Sequence, residues 1–257
     1  MSPEELQALA AVEAEHWFYS GKREMVRRLL DRLGVLTPSR LVVDVGAGTG
    51  LFAAELQPRV RVLAVDALVA VAGLVRRLGR RQVVAGRAEQ LALADGVADA
   101  VTALDVVEHL EDDLAAVREF LRVLKPGGVM VLTAPAFPAL WSGWDVALQH
   151  RRRYRRRGIR ALLERAGAVE IRAAYVNTVA LVPALVLRRL QDALHISRIG
   201  ERLEDRVPPA ALNRALRWLF VAPALAGLPV TFGLSVLAIA RRAGDDGRSQ
   251  AETEARR

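Results

Sequence analysis

Four short stretches carry the residue types that do chemistry, each directly after an apolar run. The first is Val43-Asp-Val-Gly-Ala-Gly-Thr-Gly50, with glycines at 46, 48 and 50. Glycines at this point let the backbone turn tightly and approach a ligand closely. The stretch lacks the Gly-Lys-Ser/Thr ending of a phosphate loop and the two-residue gap of the dinucleotide fingerprint. Its acid, Asp44, is foreign to both patterns. The second is Asp66, about twenty residues on, where a carboxylate accepts the two hydroxyls of a ribose. The third is Gly86-Arg-Ala-Glu89, and the fourth Leu104-Asp-Val-Val-Glu-His109. One glycine motif is weak evidence. Four polar loops in order, at this spacing, are strong evidence for one shared site.

The elements that must position them are legible from patterning. Pro3 to Leu33 has helical periodicity, with Gly21 expected to separate two helices and Gly34 to end the second. Strands are expected at 41–45, 60–65, 82–85, 98–104 and 129–133, alternating with helices at 50–56, 68–78 and 111–124. Lys125-Pro-Gly-Gly128 is expected to close the last of these helices. Such alternation implies βαβ units around a parallel sheet, with ligands at the carboxyl ends of the strands. Beyond Pro135 a short helix at 158–166 and strands at 169–175 and 234–240 are expected. The fold class is α/β: a Rossmann-like, doubly wound, mostly parallel seven-stranded sheet. Its expected divisions are N-terminal helices (1–36), a core (37–176), an apolar helical insertion (177–232), a last core strand (233–242) and a disordered tail (243–257).

Composition narrows the classes further. Over 257 residues, 52% are apolar and 26% charged, which excludes disordered and collagen-like chains. With no cysteine there is no disulfide scaffold, thiolate metal site or cysteine nucleophile. No metal is expected. The net charge of +8 comes almost wholly from arginine, since Lys22 and Lys125 are the only lysines. Such a chain is drawn to anions, whether nucleic acid, lipid head groups or phosphorylated molecules. The N-terminus has no basic region followed by an apolar run, so no secretory signal is expected. Trp218 to Ala240 is uncharged and long enough to span a bilayer. Pro223, Gly227, Pro229 and Gly233 break it, which favours a buried helix–turn–strand over a span or a surface element.

With these motifs in view, the sequence resembles the class I S-adenosylmethionine-dependent methyltransferases over roughly residues 15–175. Asp44 to Gly50 matches the family's first motif, Asp66 its ribose-binding acid, and Ala88-Glu89 its adenine contact. Asp105 to Leu110 matches the loop beneath the cofactor, and Leu124-Lys-Pro-Gly-Gly128 the turn before the fifth strand. The resemblance implies S-adenosylmethionine as cofactor. Its contacts would be Trp17, Arg23, Asp44, Gly46, Ala47, Gly48, Asp66, Ala67, Ala88, Glu89, Asp105 and Val106. Trp17, with Tyr19, would lid the pocket, and Arg23 would grip the cofactor carboxylate. This cofactor carries no phosphate, which agrees with a glycine loop lacking lysine. Acids suit its ammonium group.

The acceptor is less defined. His109, His150 and Tyr154 are candidate general bases, with structural hydrogen bonds the competing role for each histidine. Proximity alone also suffices for many methyl transfers. Arg151-Arg-Arg153 and Arg155-Arg-Arg157 make a basic cluster that is a solvated face, a phosphate or anionic-lipid site, or a nucleic-acid contact. With aromatics at 5% and no appended RNA-binding module, nucleic acid is the weakest of these. The expected activity is in-line methyl transfer to a small-molecule or lipid-linked, phosphate-bearing acceptor in the cytoplasm, with peripheral membrane contact through residues 177–232. An RNA methyltransferase and a non-catalytic cofactor-binding protein are the alternatives. Oligomeric state stays open.

Overall fold

A computed structural model describes residues 3–178, 206–227 and 230–244. Within them the chain forms helices α1 (Pro3–Val12) and α2 (Trp17–Arg32), strand β1 (Leu41–Val45), helix α3 (Leu51–Leu56) and strand β2 (Arg61–Asp66). Helix α4 (Leu68–Leu78), strands β3 (Val83–Ala85) and β4 (Ala98–Leu104), helix α5 (Asp113–Val123) and strand β5 (Leu124–Pro135) follow. The chain continues through α6 (Gly143–Ala147), α7 (Arg156–Ala166), β6 (Ala168–Val176), α8 (Ala210–Leu225) and β7 (Ser235–Arg242).

The seven strands form one sheet in the order β3-β2-β1-β4-β5-β7-β6. Strands β1 to β5 run parallel, and β7 lies antiparallel to both β5 and β6. The central strands are buried on both faces, which is why β1 and β4 are mostly apolar, with Asp44 and Thr102 as buried exceptions. One core layer, around Phe120, Met130 and Leu163, packs α5 and α7 on the sheet. The other, around Met25, Leu30, Leu56 and Leu74, packs α2, α3 and α4 on the opposite face.

Three local expectations need correction. Gly21 does not separate helices; it lies inside α2, and the chain breaks instead between Val12 and Trp17. A Cβ at Gly21 would stand 2.6 Å from Cδ1 of Phe220, so glycine is there for close approach of α8. The Lys125-Pro-Gly-Gly128 turn does not precede the fifth strand. It is carried inside β5, which begins at Leu124, pairs with Ala98, and shifts register before Ala100 pairs with Val129. Finally, Pro223 sits inside α8 rather than breaking it. The helix ends two residues later, so the ring disturbs only its last turn.

Trp218 to Ala240 therefore runs through the end of α8, a turn and β7. Only the strand is well buried. In α8, Phe220 and Val221 are covered while Trp218 is 67% exposed. No helix among the described residues is long and apolar enough to cross a membrane. About half of the expected insertion, residues 179–205 with 228–229, and the tail from 245 lie outside the described residues.

Candidate active site

Strands β1 and β4 are neighbours, although the chain visits β2 and β3 between them. Their carboxyl ends define the switch point where ligands bind in doubly wound sheets. The loop after β1 turns on three glycines with left-handed backbone, φ 69° at Gly46, 56° at Gly48 and 78° at Gly50. The N–H groups of Gly46 and Ala47 both donate to the Val65 carbonyl at the end of β2. A Cβ at Gly46 would lie 2.4 Å from Cγ2 of Val106, so glycine also lets the β4 loop close over the β1 loop.

Asp66 closes the same turn from β2. Its carboxylate accepts the Gly48 N–H at 2.6 Å and the Ala67 N–H at 2.7 Å. Burial raises its pKa against the pull of those two donors. Asp44, on β1, lies near enough to Asp66 for the two carboxylates to repel. It is buried and accepts the Thr102 hydroxyl at 2.6 Å. Burial holds its carboxyl up at about 7, and its bond to Thr102 ties β1 to β4. Ala88 is buried in the core layer that also holds Val65 and Val106, and Glu89 pairs with Arg87 at 3.3 Å.

Asp105 adopts φ 55°, a conformation uncommon outside glycine and frequent at functional positions. Its carboxylate accepts the Thr133 hydroxyl at 2.8 Å and is ion-paired with Lys22 of α2. Lys22 is itself buried, 4.3 Å from the Phe18 ring centroid, and burial lowers its pKa. Helix α1 covers the glycine loop from above. Leu6 lies 3.9 Å from a Cβ placed on Gly48, and Glu13 accepts the Thr49 hydroxyl.

The structure reassigns several candidates. Arg23 is held by neighbouring elements: its guanidinium donates to Glu55 at 2.9 Å, tying α2 to α3, and to the carbonyl of Glu13, whose carboxylate accepts from Thr49 of the glycine loop, at 2.7 Å. Trp17 packs edge-on against Phe220, and its backbone N–H donates to Asn213 of α8. Tyr154 is a poor base, because its hydroxyl donates to Asp113 at 2.7 Å, and burial beside that carboxylate drives its pKa far above the usual phenol value.

The basic cluster also divides. Arg153 is buried on Asp145 and the Ala136 carbonyl, and Arg152 holds Asp113 and the Leu110 and Glu111 carbonyls. Arg151, Arg155, Arg156 and Arg157 remain exposed. His109 and His150 do come together, with ring centroids 4.9 Å apart. Burial, and His150 beside it, lower the His109 pKa to about 4, so it is neutral at physiological pH. The Nδ1 of His150 lies 2.9 Å from Asp145.

Sequence reasoning did not single out Lys22, Glu13 or Glu108. Lys22 had one signal, its rarity in an arginine-dominated chain. Glu108 stood in a quoted motif, but only the fold reveals that it is completely buried.

The donor set fits a ligand with hydroxyls and an amino-acid end. It offers backbone amides and carboxylates, and the glycine loop has no cationic side chain to hold a phosphate. Fold and site together define a doubly wound α/β domain of the class I methyltransferase type, whose cofactor is S-adenosylmethionine. Residues 43–132 match the methyltransferase domain family. Over that stretch the chain is similar to S-adenosylmethionine-dependent methyltransferases.

It is 34% identical over 160 residues to a "Probable S-adenosylmethionine-dependent methyltransferase" of Mycolicibacterium smegmatis, covering 60% of each chain. It is 38% identical over 124 residues to a demethylmenaquinone methyltransferase of Beutenbergia cavernae, covering 46% of this chain and 50% of that one. The chain thus spans about half to three-fifths of the length of these relatives. The crystal structure of a SAM-dependent methyltransferase from Thermotoga maritima superposes with TM-score 0.60 at 15% identity, covering 93% of this chain and 95% of that one.

Proposed function

We propose that this chain transfers the methyl group of S-adenosylmethionine to a small, amphiphilic acceptor. The observation that carries the reading is the convergence at the switch point of the three-glycine loop, Asp66 clamped to Gly48, and Asp105 held by Lys22 and Thr133. When bound, the cofactor supplies an electrophilic methyl group on a sulfonium. In this reading Asp66 takes the ribose hydroxyls, Ala88 and Glu89 flank the adenine, and the Asp105–Val106 loop supports the amino-acid end. Helix α1 and the turn after it exclude water from above, because Leu6 and the Glu13–Thr49 bond close the loop's outer side. A small-molecule acceptor is supported by the likeness to the demethylmenaquinone methyltransferase.

The amphiphilic part rests on α8. Trp218 and Leu212 are exposed on it, and Phe232 follows it, at 67%, 52% and 57%. Arg28, Arg214 and Arg217 line one pocket with Trp218, where Glu24 pairs with Arg28 and Arg217 and leaves Arg214 as the added positive charge. Apolar side chains beside arginine suit the boundary of an anionic lipid layer.

Calorimetric titration with S-adenosylhomocysteine tests the pocket. Micromolar binding is expected for the wild type and its loss in Asp66→Ala; equal binding by both would overturn the assignment. Co-sedimentation with vesicles of phosphatidylcholine and phosphatidylglycerol at low salt tests the lipid contact. The wild type is expected in the pellet and Trp218→Ala largely in the supernatant. A wild type that ignores the vesicles ends the membrane half of the reading.

A further inference from the structure

We infer that Glu108, His109 and His150 form a binding site for one divalent first-row transition-metal ion. Each residue offers one donor atom, and the three atoms lie within 4.8 Å of one another. Donors around one ion at about 2.1 Å sit about 3–3.5 Å apart, so small side-chain rotations close the site.

Glu108 supplies the independent argument. It is completely buried, and neither carboxylate oxygen has a hydrogen-bond partner on another residue. Leaving a carboxylate dry and unpartnered is costly, and native proteins seldom do it without a ligand to fill the gap. The nearby cations are committed elsewhere. Lys22 pairs with Asp105, and Arg153 with Asp145 at 2.6 Å. Both add a favourable field at Glu108, and Asp145 an unfavourable one, but neither cation makes a direct bond to it.

The histidines are oriented as metal ligands are. Asp145 engages Nδ1 of His150 and leaves Nε2 for an ion. The His109 ring bonds to the backbone of Gln149, a residue itself held at φ 55°. Outer partners of this kind fix the tautomer and the aim of ligating imidazoles. The arginines that frame the cluster fix the loop as well. Arg153 holds Asp145 and the Ala136 carbonyl, and the Arg151 N–H donates to the Glu108 carbonyl at 2.8 Å.

Two imidazoles and one carboxylate select zinc, iron(II), cobalt(II) or manganese over calcium and magnesium, and leave coordination positions open. The cluster follows β4 directly, in the loop whose Val106 touches Gly46. If the proposed methyl transfer holds, on which this clause rests, an acceptor hydroxyl is the ligand an ion there would take.

The test uses the full chain, stripped with EDTA and dialysed, then titrated with cobalt(II) chloride. One equivalent is expected to bind with visible d–d absorption and two paramagnetically shifted imidazole N–H or C–H sets in the proton spectrum, displaced by zinc. Glu108→Gln and His150→Gln are each expected to weaken binding at least about 100-fold. Asp145→Asn, which keeps all three ligands, should weaken it about 10- to 100-fold. Wild type that binds neither cobalt nor zinc at 100-fold excess, or a shifted spectrum lacking imidazoles, overturns the site. So does unchanged binding in folded Glu108→Gln and His150→Gln. S-adenosylhomocysteine titration on the same samples separates the two claims: its failure with cobalt retained removes the methyltransferase reading, and the reverse removes only the ion.

Discussion

Asp145 is the residue on which the loop after β5 depends, and its truncation has a calculable cost. The side chain has 0% exposure. It accepts from Arg153 at 2.6 Å, lies 2.9 Å from His150, and accepts the Ser142 N–H at 2.9 Å. Burial alone would raise its pKa, but His150, Arg153 and Ser142 together hold it down at about 2, against an ordinary 3.8. That difference corresponds to about 2.5 kcal/mol of stability at neutral pH. Because the folded value is depressed, the contribution is complete above about pH 4 and fades as pH falls towards 2.

Removing the carboxylate costs more than this, because Arg153 is only 6% exposed and would be stranded. Breaking a buried pair from one side costs about 3–5 kcal/mol. In a domain of this size, each kcal/mol lowers the melting temperature by about 2–4 °C. Asp145→Ala should therefore melt roughly 10 °C lower at pH 7, and the gap to wild type should begin to narrow below about pH 4. Arg153→Ala should recover part of the loss in the double variant, with a coupling of about 2–3 kcal/mol. Melting followed by circular dichroism across the cycle checks this. A fall below about 2 °C, or strictly additive variants, would refute the reasoning.

Two further substitutions probe close approaches. Gly46→Ala combines a left-handed backbone with a Cβ 2.4 Å from Val106. It should cost about 1–3 kcal/mol and abolish S-adenosylhomocysteine binding, read by melting and calorimetry. Gly21→Ala gains about 1 kcal/mol of helix propensity but drives a methyl group into Phe220, which is 2% exposed. A net loss of a few degrees in melting temperature is expected. A rise would mean that α8 yields freely to α2.

The alternation of β1 to β5 with their helices was readable because each signal is local. Apolar runs, helical periodicity and terminal glycines are properties of neighbouring residues. The same holds for the glycine loop and for Asp66, whose place is set by the strand before it. The departures came where local signals had two meanings. Gly21 resembles a helix breaker until Phe220 is seen against it, and Lys125-Pro-Gly-Gly128 reads as a turn until β4 is seen to pair across it.

The sequence by itself determined the fold class, the order of the core elements and the residues of the β1 and β2 loops. Tertiary structure alone decided which charges meet. Lys22 reaches Asp105 across 83 positions, Thr102 reaches Asp44 across 58, and Arg23 reaches Glu55 across 32. Tyr154 becomes a buried donor to Asp113, and Glu108 is left fully buried beside two histidines. The reason is physical. Periodicity and turn chemistry act over a few residues, whereas an ion pair or a buried carboxylate depends on what distant segments the sheet brings to the same strand ends.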